Sequence, residues 1–474
     1  MANSLPSRRE NTLPPNTSKS LLALLFLGVL MGALDLAIIG PALPGIQAEF
    51  GISTRQLSVL FNAYVLCQMI GTPLLAKFSD RVGPRTAYVL SVGLFALGSL
   101  LLVLATEPAM LYWGRAIQGF GAGGVVPIAA AIIGGTLPPK ERGPALGTLG
   151  TVFGLAFIIG PVLGGLLLPF GWHWLFLINL PIAAVLIAGA FRLFPATRPQ
   201  GRKTLDVAGI VTLALLLTGL VFGLNELDTT ALAASLLSWP VALALVFALT
   251  LVPVFWRIET RAVDPIIRPG LFKSRPVVVA SLIGAGIGAI QSASTFYPSL
   301  AIAATGVSAS TASWMLLPGV VGATIASPVS GRLINTVGTR RIVIVSLTMV
   351  VASLIVFAFA PISVPVFILA SILGNTGLGG VLGAPLRLVI LDNCLPSERG
   401  SAQGLLSNFT SIGRLMGATF VGSIAASAGG GVVGYQAAFV GMTVVAAAML
   451  ALGFALKTSG TQQPLDSEPA TTKP

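Results

Sequence analysis

The chain has 474 residues, of which 55% are hydrophobic and only 9% are charged, and its mean hydropathy is +0.92. Soluble globular domains carry about 25% charged residues, so this composition excludes a soluble globular protein and indicates an integral membrane protein. The net charge of +12 would suggest nucleic acid as the partner of a soluble chain, but the basic residues follow membrane topology instead, and we expect no nucleic-acid partner.

Fourteen predominantly apolar stretches are long enough to cross a bilayer, because about 20 residues of α-helix span its hydrocarbon core. The sequence therefore predicts an all-α integral membrane protein with 14 transmembrane helices. In chain order these lie near 21–44, 57–76, 86–105, 109–133, 144–169, 173–195, 207–224, 234–256, 276–302, 309–333, 341–360, 363–391, 401–427 and 434–456.

The basic residues predict the orientation of these helices. Of the 27 Lys and Arg, only Arg55 lies in the loops on the side opposite the N-terminus, and three, Arg115, Arg387 and Arg414, fall within helices. The remaining 23 lie in tails and loops on the N-terminal side, which the positive-inside rule identifies as the cytoplasm. We therefore expect a multi-pass protein of the cell (inner or plasma) membrane with both termini cytoplasmic.

The first apolar stretch contains one carboxylate, Asp35, near its centre. An ionised Asp at that depth costs roughly 2.5–3.5 kcal/mol on insertion scales, so it needs a partner or a function. Asp35 and Arg115 of the fourth stretch lie at depths that differ by only ~5 Å at 1.5 Å per residue. We predict that the two charges meet, with Asp35 serving either as a proton site or as a structural carboxylate held by hydrogen bonds.

The chain repeats itself at an offset of about 255–258 residues. LPPKERGPALG at 137–147 returns as LPSERGSAQG at 395–404, and AKFSDRVGPR at 76–85 returns as GRLINTVGTR at 331–340. Related halves of this kind pack around a central cavity with the substrate site near the bilayer midplane. The predicted domains are a cytoplasmic tail at 1–20, a six-helix half at 21–195, a linker with two additional helices at 196–275, a second six-helix half at 276–456, and a cytoplasmic tail at 457–474.

Three motifs of the first half, together with LDLAIIGPALPGI around Asp35 and WHWLFLINLPI at 172–182, resemble the major facilitator superfamily, specifically its fourteen-helix drug/proton antiporter branch. The motifs are AKFSDRVGPR at 76–85, WGRAIQGFGAGG at 113–124 and GLAFIIGPVLGG at 154–165. The resemblance implies the major facilitator fold, with its two six-helix halves and, in this branch, two inserted helices.

The resemblance also implies roles for individual residues. The loop motif is expected to form a conformational latch of an acid and several bases; the alternative is a basic loop that only sets topology. The GLAFIIGPVLGG motif is associated with exporters in the family, and its Gly and Pro favour a bendable, closely packed helix. The implied residues are Asp35 and Arg115 for proton coupling, Asp80, Arg81, Gly83 and Arg85 for the latch, and Gly160, Pro161, Gly164 and Gly165 for the antiporter motif.

Arg414 falls near the middle of the thirteenth stretch, where an unpaired guanidinium is expensive. We hypothesise that it binds an anionic or polar group of the substrate or pairs across the cavity with Asp35, or else makes a purely structural hydrogen bond. Other polar side chains within helices are further candidates for the substrate cavity: Gln291, Asn62, Gln118, Tyr297 and Asn375.

The function predicted from these features is proton-coupled efflux of lipophilic small molecules, including drugs, by alternating access. The expected partners are a small-molecule substrate, protons and the lipid bilayer, and we expect the protein to act as a monomer without cofactor or metal. An enzyme is not expected, since no nucleophile with its base, metal cluster or phosphate-binding loop is evident. Two alternatives stay open: an exporter of a dedicated metabolite or lipid, and a membrane sensor that does not transport.

Overall fold

The structure is a computed structural model that describes residues 15–194, 206–228, 230–262, 265–394 and 399–456. Of the two predicted tails, residues 1–14 and 457–474 lie outside these ranges, and residues 15–20 form the start of the first helix. All regular structure within the described residues is helical. The α-helices are α1 (Pro15–Phe50), α2 (Thr54–Val82), α3 (Pro84–Val103), α4 (Pro108–Thr136), α5 (Pro139–Leu167), α6 (His173–Leu177), α7 (Asn179–Leu193), α8 (Val207–Asn225), α9 (Leu232–Leu237), α10 (Trp239–Glu259), α11 (Arg275–Ala293), α12 (Tyr297–Thr305), α13 (Ala309–Val337), α14 (Thr339–Phe359), α15 (Val364–Leu382), α16 (Pro385–Asp392), α17 (Arg399–Ser427) and α18 (Gly431–Ala455).

Each of the fourteen predicted stretches is helical, and four of them are interrupted. The breaks separate α6 from α7, α9 from α10, α11 from α12 and α15 from α16. Twelve stretches of the described residues are long and apolar enough to cross a membrane by length and composition. The two further long helices are α5, whose apolar part begins at Gly154, and α17, which carries many polar residues and packs against α2, α11 and α18.

The internal repeat has a counterpart in the backbone. Ser53 caps α2 and Ser308 caps α13 in the same way, each hydroxyl accepting the N–H three residues on, at 3.3 and 3.2 Å. Both helices have 29 residues and end at a glycine of positive φ, Gly83 at 91° and Gly338 at 87°. A side chain strains this backbone conformation, so glycine is needed to turn the chain directly into the next helix.

The helices form two bundles and a separate pair. Helices α1–α7 pack together as the first bundle, mainly through α2 with α4, α3 with α4 and α1 with α5. Helices α11–α18 form the second bundle through the corresponding pairs α11 with α17, α13 with α15 and α14 with α15. The inserted pair, α8 and α10, packs on itself and reaches the rest of the protein through α8, which lies against α2 and α17.

The two bundles meet along α2 with α17, α5 with α13, and α1 with α12. We call the two ends of the molecule the Gly83 end and the Gly51 end, after the turns between α2 and α3 and between α1 and α2. Contacts close to the Gly51 end include Gly40 of α1 against the backbone of Thr295, and Gly422 of α17 against Ser58 of α2. Both glycines lie where a side chain would collide with the other bundle, so they allow the bundles to close there.

The inserted pair is fastened at the Gly51 end. Arg55 forms an ion pair of 3.5 Å with Glu226, and the Ser58 hydroxyl donates to the Asn225 side chain at 2.9 Å. From the second bundle, the Ser423 hydroxyl donates to the carbonyl of Leu224, in the last turn of α8, at 3.0 Å. The C-terminal end of α8 is thus hydrogen-bonded to both bundles at their seam.

Candidate functional site

The centre of the first bundle holds an ion pair between α1 and α4. The Nη1 of Arg115 lies 2.5 Å from Oδ2 of Asp35, and both side chains have no exposed surface. The structure thus brings together the two charges whose depths match in the sequence. A pair this well buried keeps each charge compensated in a region of low dielectric.

Gln118 completes the pair from the next turn of α4. Its carbonyl accepts from Arg115 at 2.7 Å, and its amide nitrogen donates to Oδ1 of Asp35 at 2.7 Å and to the Ser99 hydroxyl at 2.9 Å. The Asn179 amide also donates to Ser99, at 3.3 Å. Both carboxylate oxygens of Asp35 are therefore bonded, whereas Nε and Nη2 of Arg115 have no hydrogen-bond partner among the described residues.

Glycines determine how close these helices come. A Cβ on Gly98 of α3 would collide with the backbone of Gln118, and one on Gly119 of α4 would collide with the backbone of Tyr64. Close approach of α2, α3 and α4 is what lets side chains as short as Ser99 reach the cluster. The Arg115 guanidinium lies over the Tyr64 ring, 4.2 Å from its centroid, in a cation–π contact.

A second polar cluster lies in the other bundle. The Nε of Arg414 on α17 donates to the side-chain oxygen of Gln291 on α11 at 2.9 Å. Among the described residues Arg414 makes no ion pair with Asp35, whose two oxygens are bonded to Arg115 and Gln118. Unlike Arg115, both Arg414 and Gln291 are partly exposed.

The residues predicted to form a latch lie at the Gly83 end. The Nε of Arg85 donates to the backbone carbonyl of Ala190 at 3.2 Å, and its guanidinium lies 5.7 Å from the centre of the Phe191 ring. Arg85 therefore ties the start of α3 to the end of α7 within the first bundle. Asp80 is half-buried and Arg81 is exposed on the last turn of α2.

The predicted antiporter motif begins where α5 packs on α1. Gly160 is buried against Ala37, two residues after Asp35, and a Cβ on Gly160 would press on that alanine. Pro161 is also buried and lies within the continuous α5. The motif therefore lies directly behind the segment of α1 that carries the carboxylate.

Gly164 and Gly165 of the same motif lie where α5 of the first bundle contacts α13 of the second bundle. A Cβ on Gly164 would lie 2.8 Å from the Ser313 hydroxyl of α13, and one on Gly165 would collide with the Trp314 indole. The Ser310 hydroxyl donates to the Gly165 carbonyl at 2.5 Å. These glycines allow α5 and α13 to touch near the Gly51 end.

The remaining cavity candidates have other surroundings. Asn62 of α2 donates to the Thr419 hydroxyl of α17 at 2.6 Å, so it bridges the two bundles. Tyr297 is buried inside the second bundle, with its ring centre 4.5 Å from that of Phe357. Asn375 donates to the Ser371 carbonyl of its own helix at 2.9 Å. Gln118, as described above, belongs to the Asp35 cluster.

Sequence reasoning missed two members of the Asp35 cluster, Ser99 and Asn179. Both are small polar residues in apolar helices, and polarity within such a helix was the only available signal. It did not single them out because serine usually bonds to its own helix, as Ser99 also does through the Phe95 carbonyl at 3.0 Å.

Within the described ranges, no three His, Cys, Asp or Glu side chains cluster as metal ligands. The two cysteines, Cys67 and Cys394, are both free thiols. The absence of a cofactor or metal stays a prediction from the sequence.

Comparison with known proteins places this arrangement among transporters. The Major Facilitator Superfamily profile matches residues 25–293 and again residues 278–474. YfiU of Bacillus subtilis (strain 168), named an uncharacterized MFS-type transporter, is 33% identical over 409 residues, which are 85% of this chain and 79% of YfiU. Multidrug resistance protein 3 of the same organism is 29% identical over 408 residues, which are 84% of this chain and 78% of that protein. The crystal structure of the nucleoside transporter NupG has the same fold, with a TM-score of 0.63 at 13% identity over 93% of this chain and 98% of NupG.

Proposed function

The chain belongs to the major facilitator superfamily and is a multi-pass membrane transporter, and from this premise we propose that it exports lipophilic small molecules in exchange for protons. One relative of similar length is named a multidrug resistance protein, which supports drugs as a substrate class. Proton coupling rests on the chain's own residues.

The observation that carries the proposal is the fully buried carboxylate of Asp35 in the middle of α1. A titratable group inside a transmembrane helix marks a proton or ion pathway more often than a packing contact. Its partners are those that a switch requires: Arg115 and Gln118 hold the charged form, and protonation of Asp35 removes the charge that Arg115 neutralises. In this conformation Asp35 has no exposed surface, so proton exchange requires the helices around it to move.

The proposed topology has 14 membrane crossings with both termini in the cytoplasm. The positions of the basic residues support it, since they assign the loops of the Gly83 end to the cytoplasm. On this orientation, the contacts of Gly40, Gly164 and Gly165 close the outer side of the cavity. The conformation described here would then expose its substrate site inward, ready to load from the cytoplasm or the inner leaflet.

Two sets of residues would transmit the movement of the helices around Asp35 to the rest of the protein. Gly160 and Pro161 couple the position of α1 to α5, and Gly164 and Gly165 carry the contact of α5 to the second bundle. Asp80, Arg81, Gly83 and Arg85 would act at the cytoplasmic side, where Arg85 already joins α3 to α7. We propose that the protein works as a monomer, because each of these contacts lies within one chain.

A second candidate function is export of one dedicated metabolite or lipid with the same coupling. The observation that favours it is Arg414, a cation beside the seam of the bundles that would discourage cationic drugs. A membrane sensor that does not transport is the third reading, and it predicts ligand binding without proton-driven flux.

The test is transport by purified protein in liposomes with an acidic lumen, using the neutral fluorescent probe phenylnaphthylamine. Wild-type protein is expected to accumulate the probe while protons leave the lumen. Asp35→Asn should abolish accumulation driven by the pH gradient, whereas Asp392→Asn, which removes an exposed carboxylate at the end of α16, should not. Accumulation by Asp35→Asn at the wild-type rate would rule out Asp35 as the coupling site, and binding without any gradient-driven flux in wild type would support the sensor.

A further inference from the structure

Arg414 is a cation near the middle of a membrane helix whose only hydrogen-bond partner among the described residues is a neutral amide. Its Nε is bonded to Gln291, and its two Nη atoms have no hydrogen-bond partner in the part of the chain that the structure describes. No described carboxylate lies within ion-pair distance of it. A charge at this depth is energetically unfavourable unless a counter-charge or water compensates it.

The position of Arg414 is held by the backbone. Gly413 and Gly417 of α17 pack against the carbonyls of Ala285 and Ala289 on α11, and a Cβ at either glycine would collide there. From the other side, Gly288 of α11 packs on the backbone of α17 in the same way. With the helices in backbone contact, the Arg414–Gln291 bond is built into a rigid interface, which favours a designed site over a mobile surface side chain.

Arg115 and Arg414 differ both in burial and in whether a carboxylate neutralises their charge. Arg115 is fully buried and its charge is neutralised by Asp35, whereas Arg414 is partly exposed and unneutralised. The Tyr64 ring lies under Arg115, with the guanidinium 4.2 Å from the ring centroid. The centre of the protein therefore carries one net positive charge in the cavity region of the described residues.

A purely structural arginine would have its donors occupied. In Arg414 the Nε is occupied and the fork of two Nη atoms is left open, with Gln291 orienting the guanidinium plane. Two parallel donors of a guanidinium match the two oxygens of a carboxylate, sulfonate or phosphate group. Direct contact between unlike charges is strongly attractive, but desolvation of both ions offsets much of that attraction, so we expect a net preference of order tenfold for an anion over a neutral ligand.

We propose that Arg414 and Gln291 form the polar subsite of the substrate cavity and select lipophilic organic anions, whose oxoacid group is bound by the two Nη atoms of Arg414. The proposal rests on the proposed transport function and names its substrate class. The apolar body of the ligand would lie between the bundles, while Asp35 is left to the proton.

The test compares two fluorescent probes that differ only in one oxoacid group: anilinonaphthalene sulfonate, a monoanion, and phenylnaphthylamine, its neutral counterpart. Equilibrium binding of each is measured to purified protein in nanodiscs, with empty nanodiscs subtracted. Wild type should bind the sulfonate about tenfold more tightly than the neutral amine. Arg414→Gln should remove this preference, and Arg414→Lys, which keeps the charge and loses the fork, should retain only part of it.

Arg387→Gln is the matched control, because it removes an exposed arginine from the neighbouring α16 and should leave the preference unchanged. Elution of every variant as monodisperse protein checks folding, and Gln291→Leu offers a second variant that should reduce the preference while keeping the arginine. Equal preference in wild type and Arg414→Gln, or no preference for the sulfonate in wild type, overturns the proposal.

The binding assay separates this inference from proton coupling. Asp35→Asn should keep or increase the preference for the sulfonate, since it leaves the Arg414–Gln291 bond in place and removes the carboxylate that neutralises Arg115. A wild-type protein that selects the sulfonate through Arg414 but shows no gradient-driven flux would refute the proposed function and leave the subsite standing. Gradient-driven flux of the neutral amine without any preference for the sulfonate would do the reverse.

Discussion

The buried pair of Asp35 and Arg115 makes a quantitative prediction about stability. Asp35→Asn leaves the Arg115 guanidinium buried without a counter-charge, bonded only to Gln118 and to the new amide. Arg115→Gln leaves the Asp35 carboxylate buried and bonded only to amides. At 2.5 Å and an effective dielectric constant of about 20, the attraction between the two charges is about 7 kcal/mol before desolvation of the ions is subtracted. Removing one charge of a buried pair costs about 3–5 kcal/mol of folding free energy, because the other charge stays buried without its partner. Replacing both charges by neutral groups costs far less.

We therefore expect both single variants to be destabilised and the double variant, Asp35→Asn with Arg115→Gln, to recover most of the loss. The measurement is the temperature at which half of the purified protein loses its monodisperse elution peak in detergent. With roughly 1–2 °C per kcal/mol for a protein of this size, each single variant should fall by about 4–8 °C and the double variant by less than ~3 °C.

Asp392→Asn, at an exposed position, serves as the control and should leave the midpoint unchanged. A double variant that falls by the sum of the two single losses would show that the charges act independently. That result would refute the reasoning that each ion is stabilised chiefly by the other.

Two further predictions concern movement of the bundles, and a third concerns the turn at Gly83. Gly164→Val should reduce transport more than tenfold, because the larger side chain separates α5 from α13. Gly154→Val on the same helix is the control and should be tolerated, since no neighbouring atom lies within 4 Å of a Cβ at that position. Initial transport rates in liposomes measure both effects. Cysteines in place of Asn62 and Thr419, in a background without the native cysteines, should cross-link on oxidation and stop transport, with recovery on reduction, because they hold the bundles together. Gly83→Ala should lower stability by about 1–2 kcal/mol, measured by the same elution midpoint, because its φ of 91° is strained for any residue with a Cβ.

Each of these predictions has a contrary outcome. Equal rates for the two valine variants would mean that the α5–α13 contact is not needed during the cycle. Full activity of the oxidised cysteine pair would mean that α2 and α17 do not separate toward the Gly51 end during the cycle. An unchanged midpoint for Gly83→Ala would mean that the turn relaxes to another conformation without cost.

The sequence alone determined the class of the protein and much of its plan. Apolar length predicts the helices because a bilayer imposes one span length on every crossing, and the repeat shows in recurring caps and turns such as Ser53 and Gly83. The meeting of Asp35 with Arg115 was also predictable, since depth in the membrane follows from counting residues along α1 and α4. Helix length, caps and depth in the membrane depend on a single helix and on the bilayer around it, so the sequence of that helix is enough to predict them.

Only the tertiary structure decided which side chains share a site. Gln118 and Tyr297 look alike in the sequence as polar residues within helices, yet one bonds to Asp35 and the other is buried among aromatic rings. The rotation of each helix about its axis decides this, and it depends on glycine contacts such as Gly98 on α4, which no local pattern specifies. For the same reason only the structure distinguishes Arg115, which is paired with Asp35, from Arg414, whose Nη atoms have no hydrogen-bond partner among the described residues and are proposed to bind an anionic substrate.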